Sequence, residues 1–562
     1  MKSTLKVSLR KIPFQLSDGT RLCGQLWESP AAPSPSVLVV CRTCQPLSRL
    51  SAFAQALVEL GYSAFLQSVR GCGESDGNFQ PYTQEWKDGS ETAAALLASA
   101  FLERRRLLLV GLGYDGQAAL TAAIASPVEA VAGLAVTGVT ESHFHSGLRQ
   151  NGVWSGEELL RLTRFLPEEA RPSREVFAAW LSNPRWAPGL SPFSSRPELE
   201  KWLFAARKAF TFRSFWRQQA LCPRLYLREM PDVPAFIATG TAASTCNGAM
   251  ELAHRLADRN ASSVEIHLGD EDDSALEDYS PDSPPTRRLL EWLENFPMKQ
   301  GRPGPEDQTV HCRIQSVDSE PPEWLAWRAW PALAVSATEL YLSPAGKLST
   351  LTPSGTASLE FLDTPQQPPP SPPGSWGFKP VSPRFGQYGL PLAARTDTLA
   401  FTSEPLPAEL TLLGTPQLRL RVTSNRNDTQ LLARLVVLGP SRNEQILTYG
   451  AGRLSLRYGA ENLVAFNPNT DSSTTITFPL RHIACRLPAG TRLRLELASN
   501  DFPRYLLGTN QLPRPEQPGQ SPRNARNSVE IDARGTSRLT IPVLNKDSPN
   551  SLREQTAQKT NI

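Results

Sequence analysis

The sequence has no long apolar segment. No run of about 18 apolar residues occurs in its 562 residues, which excludes a membrane-spanning helix. The first residues, MKSTLKVSLRKIPFQL, carry charges but no apolar core, so we expect no signal peptide. These absences predict a soluble, cytoplasmic protein that acts away from membranes.

Neither sign of charge dominates. Lys and Arg together number 58 and Asp and Glu 55, a formal charge of +3, which predicts no nucleic-acid partner. The eight cysteines are scattered along the chain, so a disulfide framework is excluded and reduced thiols are expected. We see no internal repeat and no convincing set of metal ligands, and we expect neither a metal nor a cofactor.

Proline, in contrast, is abundant. The 50 prolines cluster in the second half, and the run TPQQPPPSPPGSW at 364–376 is typical of a stiff polyproline spacer. A ligand for a proline-binding domain is the alternative reading of this run. The polar segment 545–562 is predicted to be a disordered tail.

The first half of the chain alternates strand and helix patterns. The apolar runs SVLVV, SAFLQSV, LLLVG and VAGLAVTG are separated by helical patterns, which predicts a mainly parallel sheet covered on both faces. This α/β domain is expected over 1–140 and 223–304. The amphipathic helices EELLRLTRFL, REVFAAWLSN and ELEKWLFAARKAF interrupt it, and they predict a helical cap over 141–222.

The chain beyond residue 305 has a different period. Apolar and charged residues alternate there, which predicts an antiparallel β-sandwich over 305–544 with one solvated face on each strand. The pattern is clearest where apolar residues are separated by charged ones, as in Leu418, Arg419, Leu420, Arg421 and Val422, and in Leu493, Arg494, Leu495, Glu496 and Leu497.

A strand, a tight glycine turn and a helix are predicted within LLLVGLGYDGQAAL. This layout is typical of a nucleophile elbow, in which a serine stands between two glycines on a strained turn. Here the position of the serine is Gly113, in Gly111-Leu112-Gly113-Tyr114. We interpret the retained turn as a structural need of the fold, since glycine adopts a positive φ at little cost.

Many further segments carry a resemblance to a known family. LSDGTRLCGQLWESP, SVRGCGESDGNF, the Asp88-Gly89 pair, Phe215-Trp216, Trp324, Trp330, NDTQLLARLVVL and PAGTRLRLELASNDFPRY follow one another in the order seen in the cocaine-esterase / X-prolyl dipeptidyl aminopeptidase family of serine hydrolases, which the chain resembles from about Phe14 to about Leu544. The resemblance implies an α/β-hydrolase domain with an inserted helical cap and a C-terminal all-β jelly roll of the galactose-binding-like kind.

The resemblance also implies a Ser-Asp-His triad, which this sequence does not retain. The serine falls at Gly113 and the aspartate at Ala243, or at Ser244 if the register slips by one residue. The histidine falls at about Glu271, in a loop, HLGDEDDSALED, that has no histidine after its first residue. The oxyanion donors implied by the family are the backbone N–H of Tyr114 and a tyrosine hydroxyl, whose position holds Gln45.

Other side chains near this pocket could supply chemistry. Cys44 and Cys72 are expected at the ends of adjacent strands, where a thiolate would need a histidine partner. His143 and His145 begin the cap and are the candidates for that partner, although cap or surface histidines are the simpler interpretation. Asp115 is interpreted as a carboxylate favoured by the helix N-terminus rather than as a nucleophile.

Two hypotheses follow. In the first, the chain is a degenerate hydrolase homologue, inactive as a serine hydrolase, that binds a small molecule, a peptide or a partner protein. In the second, it is an active hydrolase or acyltransferase on ester or amide substrates with Cys44 or Cys72 as nucleophile. The first is favoured because the groups that transfer protons are missing from the sequence pattern. A homo-oligomer is compatible with both.

Overall fold

The structure is a computed structural model that describes residues 7–29, 37–99, 106–166, 171–183, 189, 191–259, 263–296, 309–317, 320–328, 335–366, 395–439, 444–514, 520–545 and 552–553. Trp330, the predicted proline spacer from residue 367 onward and most of the predicted tail lie outside these residues. Within the described ranges, no helix has the length and apolar character needed to cross a bilayer.

A mixed sheet organises the first half of the chain. Its central strands are buried on both faces, which explains their nearly continuous apolar sequences. Two further short strands, Arg149–Gln150 and Val153–Trp154, form a separate hairpin. In chain order the strands are β1 (Ser8–Gln15), β2 (Arg21–Glu28), β3 (Val37–Thr43), β4 (Ser63–Ser68), β5 (Arg106–Leu112), β6 (Val131–Thr137), β7 (Arg149–Gln150), β8 (Val153–Trp154), β9 (Ala235–Gly240), β10 (Val264–Gly269), β11 (Thr309–Ser316) and β12 (Glu323–Trp327).

Across this sheet the strands lie in the order β1-β2-β4-β3-β5-β6-β9-β10-β11-β12. The strands from β4 to β11 in that order run parallel, while β1, β2 and β12 pair antiparallel with their neighbours. The predicted α/β architecture is therefore confirmed. Because parallel strands end at one edge, the loops after β5, β6, β9 and β10 meet there.

Helices cover both faces of the sheet and form the insertion. One face packs against α2 (Glu85–Ala98), α3 (Tyr114–Ala125) and α8 (Cys246–Ala257), and the other against α1 (Ser51–Glu59) and α9 (Pro284–Asn295). The insertion between β6 and β9 contains α4 to α7, whose aromatic residues form a separate buried cluster. The helices are α1 (Ser51–Glu59), α2 (Glu85–Ala98), α3 (Tyr114–Ala125), α4 (His143–Ser146), α5 (Gly156–Arg164), α6 (Arg174–Ser182), α7 (Pro197–Lys208), α8 (Cys246–Ala257) and α9 (Pro284–Asn295).

The second half of the chain is an all-β domain, as the alternating pattern predicts. Its strands are mostly antiparallel and enclose one apolar cluster. They are β13 (Val335–Leu342), β14 (Lys347–Ser349), β15 (Ala357–Asp363), β16 (Leu399–Ser403), β17 (Leu410–Gly414), β18 (Gln417–Ser424), β19 (Gln430–Leu438), β20 (Glu444–Arg453), β21 (Thr474–Pro479), β22 (Ile483–Leu487), β23 (Arg492–Ala498), β24 (Ala525–Ile531) and β25 (Arg538–Leu544), and a two-residue strand, β26 (Leu552–Arg553), pairs with β12.

The expected solvated face holds for one of the two example strands and not for the other. In β18, Leu418 and Leu420 are buried while Arg419 is exposed. In β23 the charged residues are buried as well, with Arg494 8% and Glu496 2% exposed. The reason is position, because β23 lies between β16 and β19. Arg494 is paired there with Glu496 and with Glu444 of β20, the strand on the other side of β19.

The two domains share a strand and a charged contact. β11 extends the first sheet beside β10, and its last residues pair with β22 of the all-β domain, so the chain beyond 305 first completes the α/β sheet. Glu157 at the start of α5 pairs with Arg481 at 2.9 Å and with Arg504 at 3.3 Å, and the Tyr449 hydroxyl donates to the same carboxylate at 2.8 Å. We call these four residues the domain clamp.

Candidate functional site at the elbow

Gly113 forms the turn between β5 and α3. Its φ of +62° and ψ of −121° lie in a region that side-chain-bearing residues avoid, and its carbonyl accepts from Gln117 in the first turn of the helix. The strand and helix meet closely here, because a Cβ on Gly111 would lie 2.2 Å from the Asp115 carbonyl oxygen. The local turn is thus the one that the glycine pattern predicts.

The space beside Gly113 is filled by another residue. A Cβ built on Gly113 would lie 2.5 Å from Cγ and 2.9 Å from Oε1 of Glu277, which comes from the loop after β10. Real side chains do not approach so closely, so any side chain at position 113 would displace this carboxylate. Glu277 therefore occupies the place where the side chain of an elbow nucleophile would start.

Glu277 belongs to a buried group of charges. Its Oε1 accepts from Arg161 Nε and its Oε2 from Arg164 Nη1 at 3.1 Å. Arg161 also pairs with Glu158 Oε1 at 3.1 Å and lies 3.9 Å from Asp273 Oδ1. We call these five residues, two arginines from α5 and three carboxylates, the elbow cluster.

Burial and the neighbouring charges have opposite effects on the pKa values of the elbow cluster. The Arg161 side chain is 3% exposed, and although burial disfavours its charge, Glu158, Glu277 and Asp273 outweigh that effect and raise the pKa of Arg161. Burial raises the pKa of Glu277, while Arg161 and Arg164 oppose the rise. A guanidinium surrounded by three carboxylates stays charged, so the elbow cluster is an ion-pair network.

The loops that should carry the other triad members contribute to the same network. Ala243 is fully buried, and its neighbour Ser244 donates its N–H to Asp273 Oδ2 at 3.0 Å and its hydroxyl to Glu158. The carboxylate of Glu271 lies beside Gly269, where an added Cβ would be 1.7 Å from its Oε2. Asp273 and Glu277 thus reach the elbow from this loop, and the assignment of Ala243 and Glu271 to the family's triad positions stays a prediction.

Tyr114 and Gln45, the predicted oxyanion residues, make hydrogen bonds through groups other than the predicted donors. Tyr114 is buried, and its hydroxyl donates to Glu85. Gln45 is half-buried, and its backbone N–H donates to Thr43 Oγ1 at 2.9 Å. Tyr114 is the first residue of α3, so its backbone N–H is one of the groups at the start of the helix that have no hydrogen-bond partner within the helix.

The alternative thiol nucleophiles lie in unfavourable surroundings. Burial raises the pKa of Cys44, and Asp115, whose Oδ1 lies 3.8 Å from Cys44 Sγ, raises it further. Burial likewise raises the pKa of Cys72 to about 12. A nucleophilic cysteine needs the opposite shift, because the thiolate is the reactive form.

The candidate histidines do not pair with these thiols. His143 is buried against the Tyr82 ring at 4.2 Å, and within the described residues its ring nitrogens have no hydrogen-bond partner. The Nδ1 of His145 is 2.9 Å from Ser142 Oγ, and its Nε2 is 3.4 Å from Arg224. Burial lowers the pKa of each histidine to about 3.

Asp115 holds the elbow turn through hydrogen bonds to two other loops. Its Oδ2 accepts from the Tyr279 hydroxyl at 2.9 Å, and its Oδ1 from the Cys44 N–H at 3.2 Å. The Tyr279 hydroxyl also accepts from the Leu112 N–H at 3.1 Å, so this side chain joins the loop after β10 to the end of β5. Burial raises the pKa of Asp115 to about 7, against the opposing hydrogen bonds. The sequence interpretation as a carboxylate at a helix start is incomplete, because Asp115 is a buried anchor.

The retained family segments have structural contacts. Arg70 of the SVRGCGESDGNF segment pairs with Asp88 through two hydrogen bonds, at 3.0 and 2.7 Å. A Cβ on Gly89 would lie 2.7 Å from the Cβ of Ala122 in α3. These motifs therefore hold α2 against the sheet and α3, a role that does not depend on catalysis.

The residues of the elbow cluster carry little signal in the sequence. Glu158 and Arg161 are three apart on α5, a spacing that usually indicates an exposed helix pair. Asp273 and Glu277 lie in an acidic stretch that is typical of a solvated loop. Only their meeting in space shows that they are buried.

An opening of ligand size lies away from the elbow. A cleft of about 300 Å³ separates α8 from the all-β domain and is lined by Asn247, Met250, Glu251, His254, Val335, Leu413, Gly414, Thr415, His482 and Pro542.

The order of strands, the inserted cap, the elbow turn and the following all-β domain together define an α/β-hydrolase-type protein with a C-terminal β domain. Residues 18–271 match the X-Pro dipeptidyl-peptidase (S15) family, and residues 304–540 match the X-Pro dipeptidyl-peptidase C-terminal non-catalytic domain. The chain belongs to this X-Pro dipeptidyl-peptidase and cocaine-esterase-like family of hydrolases.

Individual relatives agree over nearly the whole length. A cocaine esterase of Rhodococcus sp. (strain MB1 Bresler) is 23% identical over 548 residues, which cover 88% of this chain and 91% of the relative. An aminopeptidase from a marine sediment Thaumarchaeota archaeon has a TM-score of 0.73 at 18% identity, covering 96% of this chain and 97% of that one. An α-amino acid ester hydrolase has a TM-score of 0.74 at 17% identity and covers 96% of both chains.

Proposed function

We propose that this chain is a member of its family that has lost serine-hydrolase chemistry and acts by binding. One observation carries the proposal: Glu277, held by Arg161 and Arg164, fills the space beside Gly113 that a nucleophilic side chain would need. A serine hydrolase requires a hydroxyl at the elbow, an imidazole within hydrogen-bond reach and a carboxylate that orients the imidazole. At this elbow the polar side chains are instead charged groups that pair with one another.

The elbow cluster argues against a simple replacement chemistry. Both carboxylate oxygens of Glu277 already accept from arginines, so this residue is not placed as a free general base. The thiols of Cys44 and Cys72 have raised pKa values. These observations support the binding hypothesis over the thiol-hydrolase alternative.

The direct test is covalent labelling together with an ester assay. We expect a fluorophosphonate probe to leave the folded chain unmodified, and p-nitrophenyl esters to be hydrolysed no faster than in buffer. Gly113→Ser is also expected to stay near background, because restoring one member of a triad without its base recovers little activity. The variant Gly113→Ser/Glu277→Ala is the matched control, since it removes the colliding carboxylate and leaves only the missing base.

One adduct per chain on a serine of the α/β domain would contradict this proposal. Robust, inhibitor-sensitive hydrolysis by Gly113→Ser would do so as well, because it would require a working base.

We propose the cleft between α8 and the all-β domain as the binding site for a small-molecule ligand. Its volume of about 300 Å³ is at the lower end of ligand pockets, and its lining combines apolar residues such as Met250 and Leu413 with polar ones such as Asn247. A thermal-shift screen of small molecules against the wild type and Met250→Trp tests this placement. Hits that stabilise both proteins equally would place the ligand site elsewhere.

A further inference from the structure

Three potential metal ligands lie on one face of the sheet, on the neighbouring strands β10 and β11. Glu265 and His267 are two residues apart on β10, so their side chains point to the same face. β10 and β11 pair in parallel with His267 directly opposite His311. One ligand atom from each of the three residues lies within 4.8 Å of the other two.

The surroundings of this group leave a polar atom unsatisfied. His267 is only 6% exposed, and its Nδ1 has no hydrogen-bond partner in the part of the chain that the structure describes. Its Nε2 is 3.2 Å from Glu265 Oε1. The unpaired Nδ1 is unfavourable in itself. Nε2, which faces Glu265, is the nitrogen that a metal shared with this carboxylate would use.

The chemistry of the three side chains matches one class of ion. Two imidazoles and one carboxylate are typical ligands of zinc and similar divalent transition metals, and they are a poor set for calcium or magnesium, which prefer oxygen. An imidazole binds a metal through the lone pair of one ring nitrogen. Glu265 and His311 are partly exposed, which leaves a path to solvent.

We propose that Glu265, His267 and His311 bind one zinc-like divalent metal ion, with a fourth position open to water. Metal–ligand distances of about 2.0–2.2 Å require ligand atoms about 3.4 Å apart, so atoms that now lie within 4.8 Å of one another must approach by up to about 1.4 Å. The rings of His267 and His311 are stacked at 4.5 Å with an interplanar angle of 11°. Since stacked rings do not aim their nitrogens at one point, the partly exposed His311 ring turns on binding.

The position of the site suggests what the metal does. β11 is the strand shared by both domains, because its first half pairs with β10 and its end with β22. An ion held between β10 and β11 fastens this shared strand to the first sheet. A ligand that binds only the folded state raises its stability with concentration, so the metal is expected to stabilise the joint between the domains.

The test is a Co²⁺ titration of the tag-free, metal-stripped full-length chain. We expect visible d–d absorption bands that saturate at one Co²⁺ per chain and disappear when Zn²⁺ is added. His311→Gln and Glu265→Gln should each weaken binding by at least about tenfold, the lower bound for changes in the outer contacts of metal ligands. Both residues are partly exposed, so these variants are expected to fold, and their unfolding midpoints without metal check this.

His254→Gln is the matched control, because this histidine lies on α8, 37% exposed and paired with Asp258. It should bind Co²⁺ like the wild type. In a second measurement, Zn²⁺ should raise the unfolding midpoint of the wild type and of His254→Gln but not that of His311→Gln. Absence of saturable binding, equal binding by His311→Gln, or loss of binding in His254→Gln would each overturn the proposal.

Discussion

Helix α5 carries two buried charge groups that face different parts of the molecule. On one side, Arg161 and Arg164 meet three carboxylates in the elbow cluster. On the other side, the single carboxylate of Glu157 meets two arginines of the domain clamp. Both groups fix the same helix, so the cap is tied to the elbow loop and to the all-β domain at once.

The two groups differ in the part of the molecule that each one occupies. The domain clamp joins surfaces where no reacting group is expected, and its arginines stack on the Tyr449 ring at 4.2 and 4.0 Å. The elbow cluster occupies the place beside Gly113. Ion pairs can therefore join two domains in one place and, in the other, fill the space beside a backbone turn.

The largest effect is expected for Arg161→Met. This change leaves Glu158, Asp273 and Glu277 buried without their shared cation, and loss of one partner of a buried ion pair destabilises by about 3–5 kcal/mol. Denaturant unfolding measures the change. Lys11→Met is the matched control, because Lys11 pairs with Glu74 in solvent and its loss should matter little. Equal effects of the two variants would mean that the elbow carboxylates are not held by Arg161.

Gly113→Ala is expected to have the next largest effect. A non-glycine residue in such a backbone conformation costs about 1–3 kcal/mol, and here the new Cβ also meets Glu277. Gly61→Ala separates the two contributions, because Gly61 has a φ of +87° with nothing within 4 Å of its Cβ position. Unfolding midpoints should show the larger loss at Gly113. If the losses were the same, Glu277 would be free to move aside.

A smaller loss is expected for Glu157→Gln in the domain clamp. Both arginines and the Tyr449 hydroxyl contact the Glu157 carboxylate, and the amide of glutamine keeps its shape but removes its charge. Hydrogen bonds to a charged group contribute about 1.5–3 kcal/mol to stability. We expect about 1.5 kcal/mol by denaturant unfolding, with the probe-labelling result unchanged. Tyr449→Phe, which keeps the ring beneath the arginines, should cost less than Glu157→Gln. The reverse order would show that the ring hydroxyl, not the ion pair, holds the contact.

The smallest effect, counted per pH unit, is expected from Asp115, which makes the free energy of unfolding depend on pH. Its pKa is raised from 3.8 to about 7 in the folded chain, so between these values the folded state holds a proton that the unfolded state has lost. Raising the pH through this window therefore lowers the free energy of unfolding, by about 1.4 kcal/mol per pH unit for one proton. Asp115→Asn should flatten this part of the profile. An unchanged slope in that variant would assign it to other carboxyls.

Several features of the fold follow directly from local patterns in the sequence. The alternation in β18 correctly predicts which side chains face the core, because a strand has a period of two wherever it runs. The same pattern in β23 predicts a solvated face that the structure does not have, since neighbouring strands and a buried ion pair cover Arg494 and Glu496. Periodicity thus defines the faces of a strand, whereas its position in the sheet defines their surroundings.

Local sequence predicts the strand, turn and helix around Gly113, because a glycine with positive φ and the apolar runs beside it act within a few residues. It also determined the division into an α/β half and an all-β half through the change of hydrophobic period. The side chain that lies beside Gly113, in contrast, depends on contacts between distant parts of the chain. Arg161 and Glu277 are 116 residues apart, and a sequence of ordinary surface-type charges becomes a buried ion-pair network only when the cap and the loop after β10 close over the elbow.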